Sequence, residues 1–325
     1  MKYSTIGTSW ITEMFIEAVQ QTKKAELISI YSRSEETAEL FAKKNGAENW
    51  FTDLDEMLDD ASDFVYIASP NIMHYDHIIK VIKKGKHVFC EKPLVYTEQQ
   101  WNDIYNLAQK HQVFIFEGFR HLFSPNYKKL TTQLTQIGTI RTAILHYVQY
   151  SSRYDVFKSG QIPNVFSKEF AGGVLMDLGV YPLSMALDLF GEPMDADYFP
   201  VKLSNGIDGS GTLVLTYEDK VITIVTSKTG HGLIPSEIHG EKGTLTIDHV
   251  APISSLKYYD RQTAHTAELA EPQHEIDMVY QVEAFVKMIE ENDIESYEKW
   301  MERSRQVAKW TEKVRNEVGI LFSGE

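Results

Sequence analysis

The first 120 residues alternate short apolar runs with segments of helical periodicity, and this alternation restricts the folds open to the chain. Apolar runs at residues 3–7, 27–31, 64–68, 87–90 and 113–116 have the length of buried strands. Helical patterns separate them; Ile11, Phe15 and Val19, for example, fall on one helix face. Strands joined by helices imply right-handed crossovers and a parallel sheet covered on both faces. We therefore expect a doubly wound α/β domain, of the Rossmann type, over residues 1–120.

After residue 120 the pattern changes to strands without regularly alternating helices. Segments 140–150, 212–217, 221–227 and 244–247 are strand-like, and Glu218-Asp219-Lys220 fits a hairpin between two of them. One helix is predicted over 174–190, and roughly the last 45 residues are helical and charged. This series favours a large, mostly antiparallel open sheet covered on one face. We expect a C-terminal α+β domain over residues 121–325, whose terminal helices could pack back on the first domain.

Charge and cysteine content restrict the partners. The chain has 46 acidic and 32 basic residues, a formal net charge of -14, which disfavours nucleic acid and anionic membrane surfaces. Its single cysteine, Cys90, allows no internal disulfide and fits a reducing compartment. No secretory signal is evident, and no apolar run approaches the roughly 18 residues of a membrane span. A soluble cytoplasmic protein is expected.

The turn after the first strand occupies the position of a dinucleotide-binding fingerprint, G-x-G-x-x-G, and reads Gly7-Thr8-Ser9-Trp10-Ile11-Thr12. Only the first glycine is present. Ser9 is small, and its hydroxyl can donate to a phosphate, while the helix start offers N–H groups and a positive dipole end. The alternative is an ordinary strand-to-helix turn.

The end of the second strand indicates which dinucleotide would bind. An NAD-selective site places an acidic residue about 20 residues beyond the fingerprint, where it binds the ribose hydroxyls. Here the segment reads Tyr31-Ser32-Arg33-Ser34 and has no acid. An arginine flanked by hydroxyls suits a 2′-phosphate, so we predict NADP in preference to NAD. The alternative is a solvated arginine at a strand end.

Polar segments follow the later strands at the same edge of the predicted sheet, namely Ser69-Pro70-Asn71, Glu91-Lys92-Pro93 and Glu117-Gly118-Phe119-Arg120. This is the edge where ligands bind in open α/β sheets, and a lysine there can give hydrogen bonds and charge to a reacting oxygen. His74 and His77 lack a third ligand, so a helix-surface pair is favoured over a metal site, and no metal is predicted. Cys90 is interpreted as a small buried hydrophobe.

In the second domain, Gly172-Gly173 precede an apolar helix that carries Asp177 and Tyr181. These two are four residues apart and share a helix face. A carboxylate and a phenol on such a face are costly unless satisfied, so they either line a cleft or pair with each other. The alternative is a capping aspartate and a half-buried tyrosine.

Three motifs together resemble the Gfo/Idh/MocA oxidoreductase family: Asn71-x-x-His74, Gly85-Lys86-His87-Val88 leading to Glu91-Lys92-Pro93, and Gly172-Gly173-x-x-x-Asp177-x-Gly179-x-Tyr181. Segment 235–245 also resembles that family's C-terminal sheet. The resemblance implies an oxidoreductase that uses a nicotinamide dinucleotide and acts on a sugar, polyol or cyclic diol in the cleft between domains. It also implies a homodimer, or a dimer of dimers, formed through the C-terminal sheet.

The resemblance and the strand-end pattern together assign roles to residues. The predicted cofactor-binding residues are Gly7, Thr8, Ser9, Trp10, Ile11, Ser32, Arg33, Ser69, Pro70, Asn71, His74, Glu91 and Lys92. Those predicted on the substrate side are Lys92, Phe119, Arg120, Asn164, Asp177 and Tyr181. Tyr181 stands where the family commonly has a histidine acid/base, as in members similar to dihydrodiol and xylose dehydrogenases.

A tyrosine is a poor base at neutral pH unless a cation favours its phenolate. We therefore hypothesise that Lys92, Asp177 and Tyr181 are catalytic, with Tyr181 as acid/base assisted by Lys92. Two other functions remain open at this point: a non-catalytic NAD(P)-sensing regulator of the same fold, and a nucleotide-free interaction protein.

Overall fold

The computed structural model describes residues 1–323 and 325 and divides into two compact units. One unit comprises Met1–Gly118 and His274–Arg305, and the other comprises Phe119–Gln273 and Gln306–Glu325. Each unit is therefore built from two separate stretches of the chain.

The first unit contains a six-stranded sheet in which every pairing is parallel. Its strands are β1 (Lys2–Ile6), β2 (Glu26–Tyr31), β3 (Asn49–Phe51), β4 (Phe64–Ile67), β5 (His87–Cys90) and β6 (Ile115–Glu117). Their order is β3-β2-β1-β4-β5-β6, which confirms the doubly wound fold. The order reverses direction between β1 and β4, the point at which ligands bind in such sheets.

Helices connect these strands: α1 (Trp10–Thr22), α2 (Glu35–Asn45), α3 (Leu54–Met57), α4 (His74–Lys83) and α5 (Glu98–His111). Their beginnings follow local sequence signals. Ser34, for example, precedes α2 and accepts a hydrogen bond from the Thr37 N–H, which is the usual contact of a serine N-cap. The three-residue strand β3 was not predicted.

The second unit contains an eight-stranded sheet with strands β7 (Ile140–Val148), β8 (Asp195–Lys202), β9 (Asp208–Thr216), β10 (Val221–Ser227), β11 (Ser236–Gly240), β12 (Gly243–Ile247), β13 (Leu256–Asp260) and β14 (His265–Glu268). The order is β14-β13-β12-β11-β7-β10-β9-β8. Only β7 and β10 pair in parallel, which confirms the predicted mostly antiparallel sheet. The predicted hairpin joins β9 to β10, with Val221 opposite Thr216.

Helices α6 (Pro125–Gln133), α7 (Ser152–Lys158) and α8 (Val180–Phe190) belong to the second unit. Leu145, Ile222 and Ile224 on the inner face of the sheet are buried, and α8 packs against β7 and β10. The predicted helix over 174–190 is interrupted at its start, because Leu175–Gly179 forms a π-helical turn.

The stretch Lys168–Phe190 is also long and apolar enough to cross a membrane by length and composition, with a mean hydropathy of 1.4. Because 83% of its most apolar window is buried inside the protein, this stretch serves as core.

The last two helices are α9 (Met278–Glu291) and α10 (Ile294–Glu317). Helix α9 packs on α1. The centre of the Phe285 ring lies 5.1 Å from that of Phe89 and 5.0 Å from that of Phe116, in an aromatic core beneath the parallel sheet. The first half of α10 extends this core, since Trp300 stacks on Phe116 at 4.9 Å. Offset and edge-to-face aromatic pairs of this kind add roughly 0.5–1.5 kcal/mol each beyond the area they bury.

Candidate functional site

The turn between β1 and α1 brings the backbone close to the neighbouring strand. Gly7 has φ +116°, and a Cβ placed on it would lie 2.7 Å from the carbonyl oxygen of Ala68. Only glycine fits both the conformation and the space. Ser9 directly precedes α1, and its side chain makes no capping hydrogen bond to that helix. The turn therefore presents a serine hydroxyl and the N-terminal end of a helix at the sheet edge.

A cavity of about 260 Å³ lies at this edge, within the first unit. Its lining consists of Ile6, Gly7, Thr8, Ser9, Tyr31, Ser32, Arg33, Ala68, Ser69, Pro70, Met73 and His77. The predicted cofactor residues from the glycine turn, the end of β2 and the end of β4 thus meet in one place. A helix N-terminus, a glycine turn and a cluster of hydroxyls form a chemically suitable cradle for a pyrophosphate.

Arg33 supplies the positive charge of this cavity. It is exposed, and among residues 1–323 and 325 it has no hydrogen-bond or ion-pair partner. No aspartate or glutamate occurs among the described lining residues. The guanidinium is therefore available to an anionic ligand, with Ser32 beside it.

His77 also lines the cavity, and sequence reasoning gave it no role in the site. Its Nδ1 lies 3.0 Å from Ser69 Oγ, and the side chain is largely buried. Burial, together with the nearby His74, Lys80 and Arg33, lowers the pKa of His77 to about 4, so the ring is neutral at pH 7.

The interpretation of His74 and His77 as a helix-surface pair was wrong. His74 is fully buried, and its two ring nitrogens each lie 2.8 Å from a carbonyl oxygen, Pro93 O and Ser69 O. Burial is the main cause that lowers the pKa of His74. The histidine therefore links the turn after β4 to the turn after β5.

Six of the predicted cofactor residues lie outside the lining of this cavity: Trp10, Ile11, Asn71, His74, Glu91 and Lys92. Trp10 begins α1 with 63% of its surface exposed, and Ile11 follows it. Asn71 begins the short turn Asn71–Met73 that leads into α4.

The segment after β5 is held within the first unit by hydrogen bonds. The Glu91 N–H donates to Ile67 O at 2.9 Å, and the buried Tyr66 hydroxyl donates to Glu91 Oε1 at 2.8 Å. Glu91 is thus bonded inside its own unit, and Lys92 follows at the carboxyl edge of the sheet, partly exposed. Cys90 is buried as predicted, and burial raises the pKa of its thiol.

In the second unit, Asp208 fixes the start of the π-helical turn. Its Oδ2 accepts hydrogen bonds from the Leu175 N–H at 2.9 Å and the Tyr198 hydroxyl at 2.6 Å, and burial raises its pKa. Gly173 has φ +102°, and a Cβ on it would lie 2.1 Å from Asp208 Oδ1. Gly173 therefore allows the backbone to come close to the Asp208 carboxylate.

Asp177 lies within this π-helical turn, and its carboxylate accepts a hydrogen bond from the Lys228 ammonium group. The side chain of Lys228 is 3% exposed and that of Asp177 is 30% exposed. The same ammonium lies 4.8 Å from the centre of the Phe166 ring, close enough for a cation–π interaction. Sequence reasoning missed Lys228, which no local signal connects to Asp177.

Tyr181 lies in the first turn of α8 with only 7% of its surface exposed. Its ring packs against those of His121, at 5.1 Å, and Tyr147, at 5.5 Å. The Tyr181 carbonyl oxygen lies 3.0 Å from His121 Nε2 and accepts from Ser184 Oγ at 2.9 Å. The phenol is therefore fixed by its backbone and by two aromatic neighbours.

The remaining substrate-side residues belong to three different segments of the second unit. Phe119 is fully buried, with its ring 6.2 Å from His121. Arg120 begins the turn Arg120–Phe123, and Asn164 is exposed at the start of the turn Asn164–Phe166. Across residues 1–323 and 325, no group of three or more His, Cys, Asp or Glu side chains is placed to hold a metal ion.

Family models match both units. Residues 1–119 match the model described as "Oxidoreductase family, NAD-binding Rossmann fold", which makes the first unit an NAD(P)-binding oxidoreductase domain. Residues 132–246 match the model of the GFO/IDH/MocA C-terminal domain.

Curated relatives agree with this class. The chain is 39% identical to the scyllo-inositol 2-dehydrogenase (NADP(+)) IolU of Bacillus subtilis, over 100% of this chain and 99% of the relative. It is 34% identical to the uncharacterized oxidoreductase YgjR of Escherichia coli, over 100% of this chain and 98% of that relative. The chain belongs to the Gfo/Idh/MocA family, an NAD(P)-dependent group of sugar and polyol oxidoreductases. The predicted family, enzyme class and nicotinamide cofactor are confirmed.

Solved structures share the fold. A levoglucosan dehydrogenase in complex with NADH and levoglucosan superposes with a TM-score of 0.86 at 19% identity, covering 98% of this chain and 97% of that one. A 3-ketoreductase from Actinomadura kijaniata in complex with NADP and TDP-benzene gives a TM-score of 0.83 at 22% identity, with 97% of each chain covered. At these identities the likeness establishes the architecture alone.

Proposed function

We propose that this protein is an NADP-dependent dehydrogenase that transfers hydride between the cofactor and a hydroxyl-bearing carbon of an uncharged cyclic polyol. The assignment of NADP as the cofactor rests on Arg33, which lines the cavity. The Arg33 guanidinium has no hydrogen-bond or ion-pair partner within the described part of the chain, and no carboxylate belongs to the described lining. This favours a ribose that carries a phosphate. A carboxylate in that place would instead favour the free hydroxyls of NAD.

The substrate class is supported by similarity and by charge. The relative of 39% identity is named for scyllo-inositol and NADP, and the match spans the whole of this chain. The net charge of -14 disfavours a strongly anionic substrate, because the field of the whole protein would repel it. Inositols and related ring polyols are therefore the first substrates to test.

The chemistry assigns a role to each of three residues. Bound NADP would accept the hydride, and the substrate hydroxyl must lose its proton as the hydride leaves. Tyr181 takes that proton as its phenolate and returns it in the reverse direction. A free phenol has a pKa of about 10, so a nearby cation is needed to favour the phenolate, and we assign that role to Lys92.

Asp177 has a different role, because its carboxylate is paired with the buried Lys228. We assign Asp177 to substrate binding, since an ionised carboxylate accepts hydrogen bonds from substrate hydroxyls. Such an acceptor suits a neutral polyol and repels a phosphate or carboxylate.

The experiment is a panel of inositols, sugars and cyclic diols, assayed for reduction of NADP and of NAD. Tyr181→Phe and Lys92→Met are expected to lose about 100-fold or more in kcat, in line with the usual contribution of a general acid or base. Tyr259→Phe, which changes an exposed tyrosine on β13, is the matched control. Cofactor binding without turnover of any panel member would instead favour a non-catalytic NAD(P) sensor.

We also propose a cytoplasmic homodimer formed through the outer face of the eight-stranded sheet. Strand alternation puts Ile144, Phe199, Val201 and Val221 on that face, and each is at least 40% exposed. Large exposed apolar side chains grouped on one sheet face are typical of an interface. Light scattering of the parent and of Phe199→Asp tests this, and a parent that is monomeric at all concentrations refutes it.

A further inference from the structure

A buried carboxylate, Glu117, lies beside the segment that carries Lys92. It is the last residue of β6 and pairs in register with Cys90, the last residue of β5. Its exposed fraction is 1%. Burying a carboxylate is costly unless its oxygens are hydrogen-bonded, so the contacts of this side chain indicate what it does.

Both oxygens of Glu117 have partners. Oε1 accepts a hydrogen bond from the Leu94 N–H at 2.8 Å, and Oε2 accepts one from the Ser304 hydroxyl of α10 at 2.5 Å. On the same turn, the carbonyl oxygen of Pro93 lies 2.8 Å from His74 Nδ1. The two residues that follow Lys92 are thus held by side chains from β6 and α4.

Opposing effects determine the pKa of Glu117. Burial raises the pKa of Glu117 to about 7, and the nearby Glu91 adds to this increase. The hydrogen bonds from Ser304 and Leu94 and the charge of Lys92 act in the opposite direction and lower the pKa. The titratable groups that face Glu117 are Lys92, Glu91 and the Cys90 thiol, and α10 contributes the uncharged Ser304. A negative charge therefore develops near Lys92 as the pH rises through 7.

We propose that Glu117 is a positioning residue for Lys92: it fixes the turn that carries this lysine and, once ionised, holds the lysine amine in its protonated form. The consequence for turnover rests on the proposed function, in which the charge of Lys92 favours the Tyr181 phenolate. The effect on the amine itself does not depend on any reaction.

Trace acylation of the full-length protein with acetic anhydride, analysed by mass spectrometry, measures how much of each lysine amine is unprotonated. An opposite charge nearby shifts such an equilibrium about ten-fold or more. In Glu117→Gln, which keeps an acceptor for the Leu94 N–H but carries no charge, Lys92 should be acylated about ten-fold faster than in the parent above pH 7. Below pH 7 the two proteins should agree, because Glu117 is then protonated in the parent.

Two variants control the comparison. Glu48→Gln removes an exposed carboxylate of the same unit and should leave Lys92 unchanged. Ser304→Ala removes a hydrogen bond that favours the ionised form of Glu117. The pH above which Lys92 becomes protected from acylation should therefore be higher in this variant than in the parent. If Glu117→Gln does not fold, the acylation of Lys92 in Ser304→Ala tests the role of Glu117 instead.

Equal acylation of Lys92 in the parent and a folded Glu117→Gln at every pH, or an unchanged onset in Ser304→Ala, overturns the inference. If a substrate is found, kcat/KM of the parent and of Glu117→Gln should also differ above pH 7 and agree below it, because the charge of Glu117 distinguishes the two proteins only above pH 7. If no substrate is turned over, the proposed function fails, while the acylation result still decides the role of Glu117.

Discussion

Replacing Arg33 with alanine should weaken the binding of NADP much more than the binding of NAD. In the structure Arg33 is exposed and has no partner within residues 1–323 and 325, so its removal leaves no protein group unsatisfied. The change therefore measures the contact with the ligand. A charge-assisted hydrogen bond is worth about 1.5–3 kcal/mol, and about 1.4 kcal/mol corresponds to a ten-fold change in Kd.

Solvent screening at an exposed site favours the lower part of that range, so we expect NADP to bind roughly 10- to 50-fold more weakly to Arg33→Ala. The Kd for NAD should change by less than about three-fold. Titration calorimetry with each cofactor measures both values, and quenching of tryptophan fluorescence gives an independent reading. The matched control is Lys83→Ala, which removes an exposed cation at the end of α4.

Two outcomes would refute the reasoning about Arg33. Tighter binding of NAD than of NADP by the parent would contradict the assignment of the 2′-phosphate to this arginine. Equal weakening of both cofactors by Arg33→Ala would mean that the guanidinium contacts a part that the two cofactors share.

Three further changes test other parts of the structure. Gly7→Ala puts a Cβ 2.7 Å from Ala68 O at φ +116°, so thermal melts should show a loss of about 1–2 kcal/mol or more and little stabilisation by NADP; a parent-like response would contradict this. Lys228→Met removes the cation paired with the 30% exposed Asp177 and should cost about 1–3 kcal/mol in urea unfolding, while Lys228→Arg should recover most of it. The pKa of Glu117 rises from 4.5 to about 7 on folding, so the folded state binds the proton more tightly. The parent should therefore lose roughly 3 kcal/mol of stability between pH 4.5 and 7 relative to Glu117→Gln, and parallel pH curves would disprove this.

The cofactor side of the site could be predicted from sequence because its determinants are local. Gly7 and Ser9 occupy fixed positions between a strand and a helix, and Arg33 follows the next strand directly. In a parallel sheet the carboxyl ends of the strands share one edge, so short-range pattern alone brings these residues to one cavity.

The parts that sequence reasoning missed depend on contacts between distant segments. Lys228 directly follows β10 and lies 51 residues further along the chain than Asp177, and no spacing rule predicts that pairing. The burial of His74 and His77 depends on how α4 packs against the sheet, whereas their spacing suggested only a shared helix face. The hydrogen bond from the Leu175 N–H, at the start of the π-helical turn, to the buried Asp208 likewise joins segments that are far apart in sequence.

The division of the first unit between the two ends of the chain has a consequence for biosynthesis. Phe89 and Phe116, in the parallel sheet, contact Phe285 and Trp300, which are synthesised only after the whole of the eight-stranded sheet. A nascent chain that has released only residues 1–118 therefore exposes the aromatic surface beneath its sheet, and such surfaces aggregate or recruit chaperones. For the same reason, a gene fragment meant to yield the nucleotide-binding part by itself must encode His274–Arg305, joined to residue 118 by a linker, rather than stop after β6.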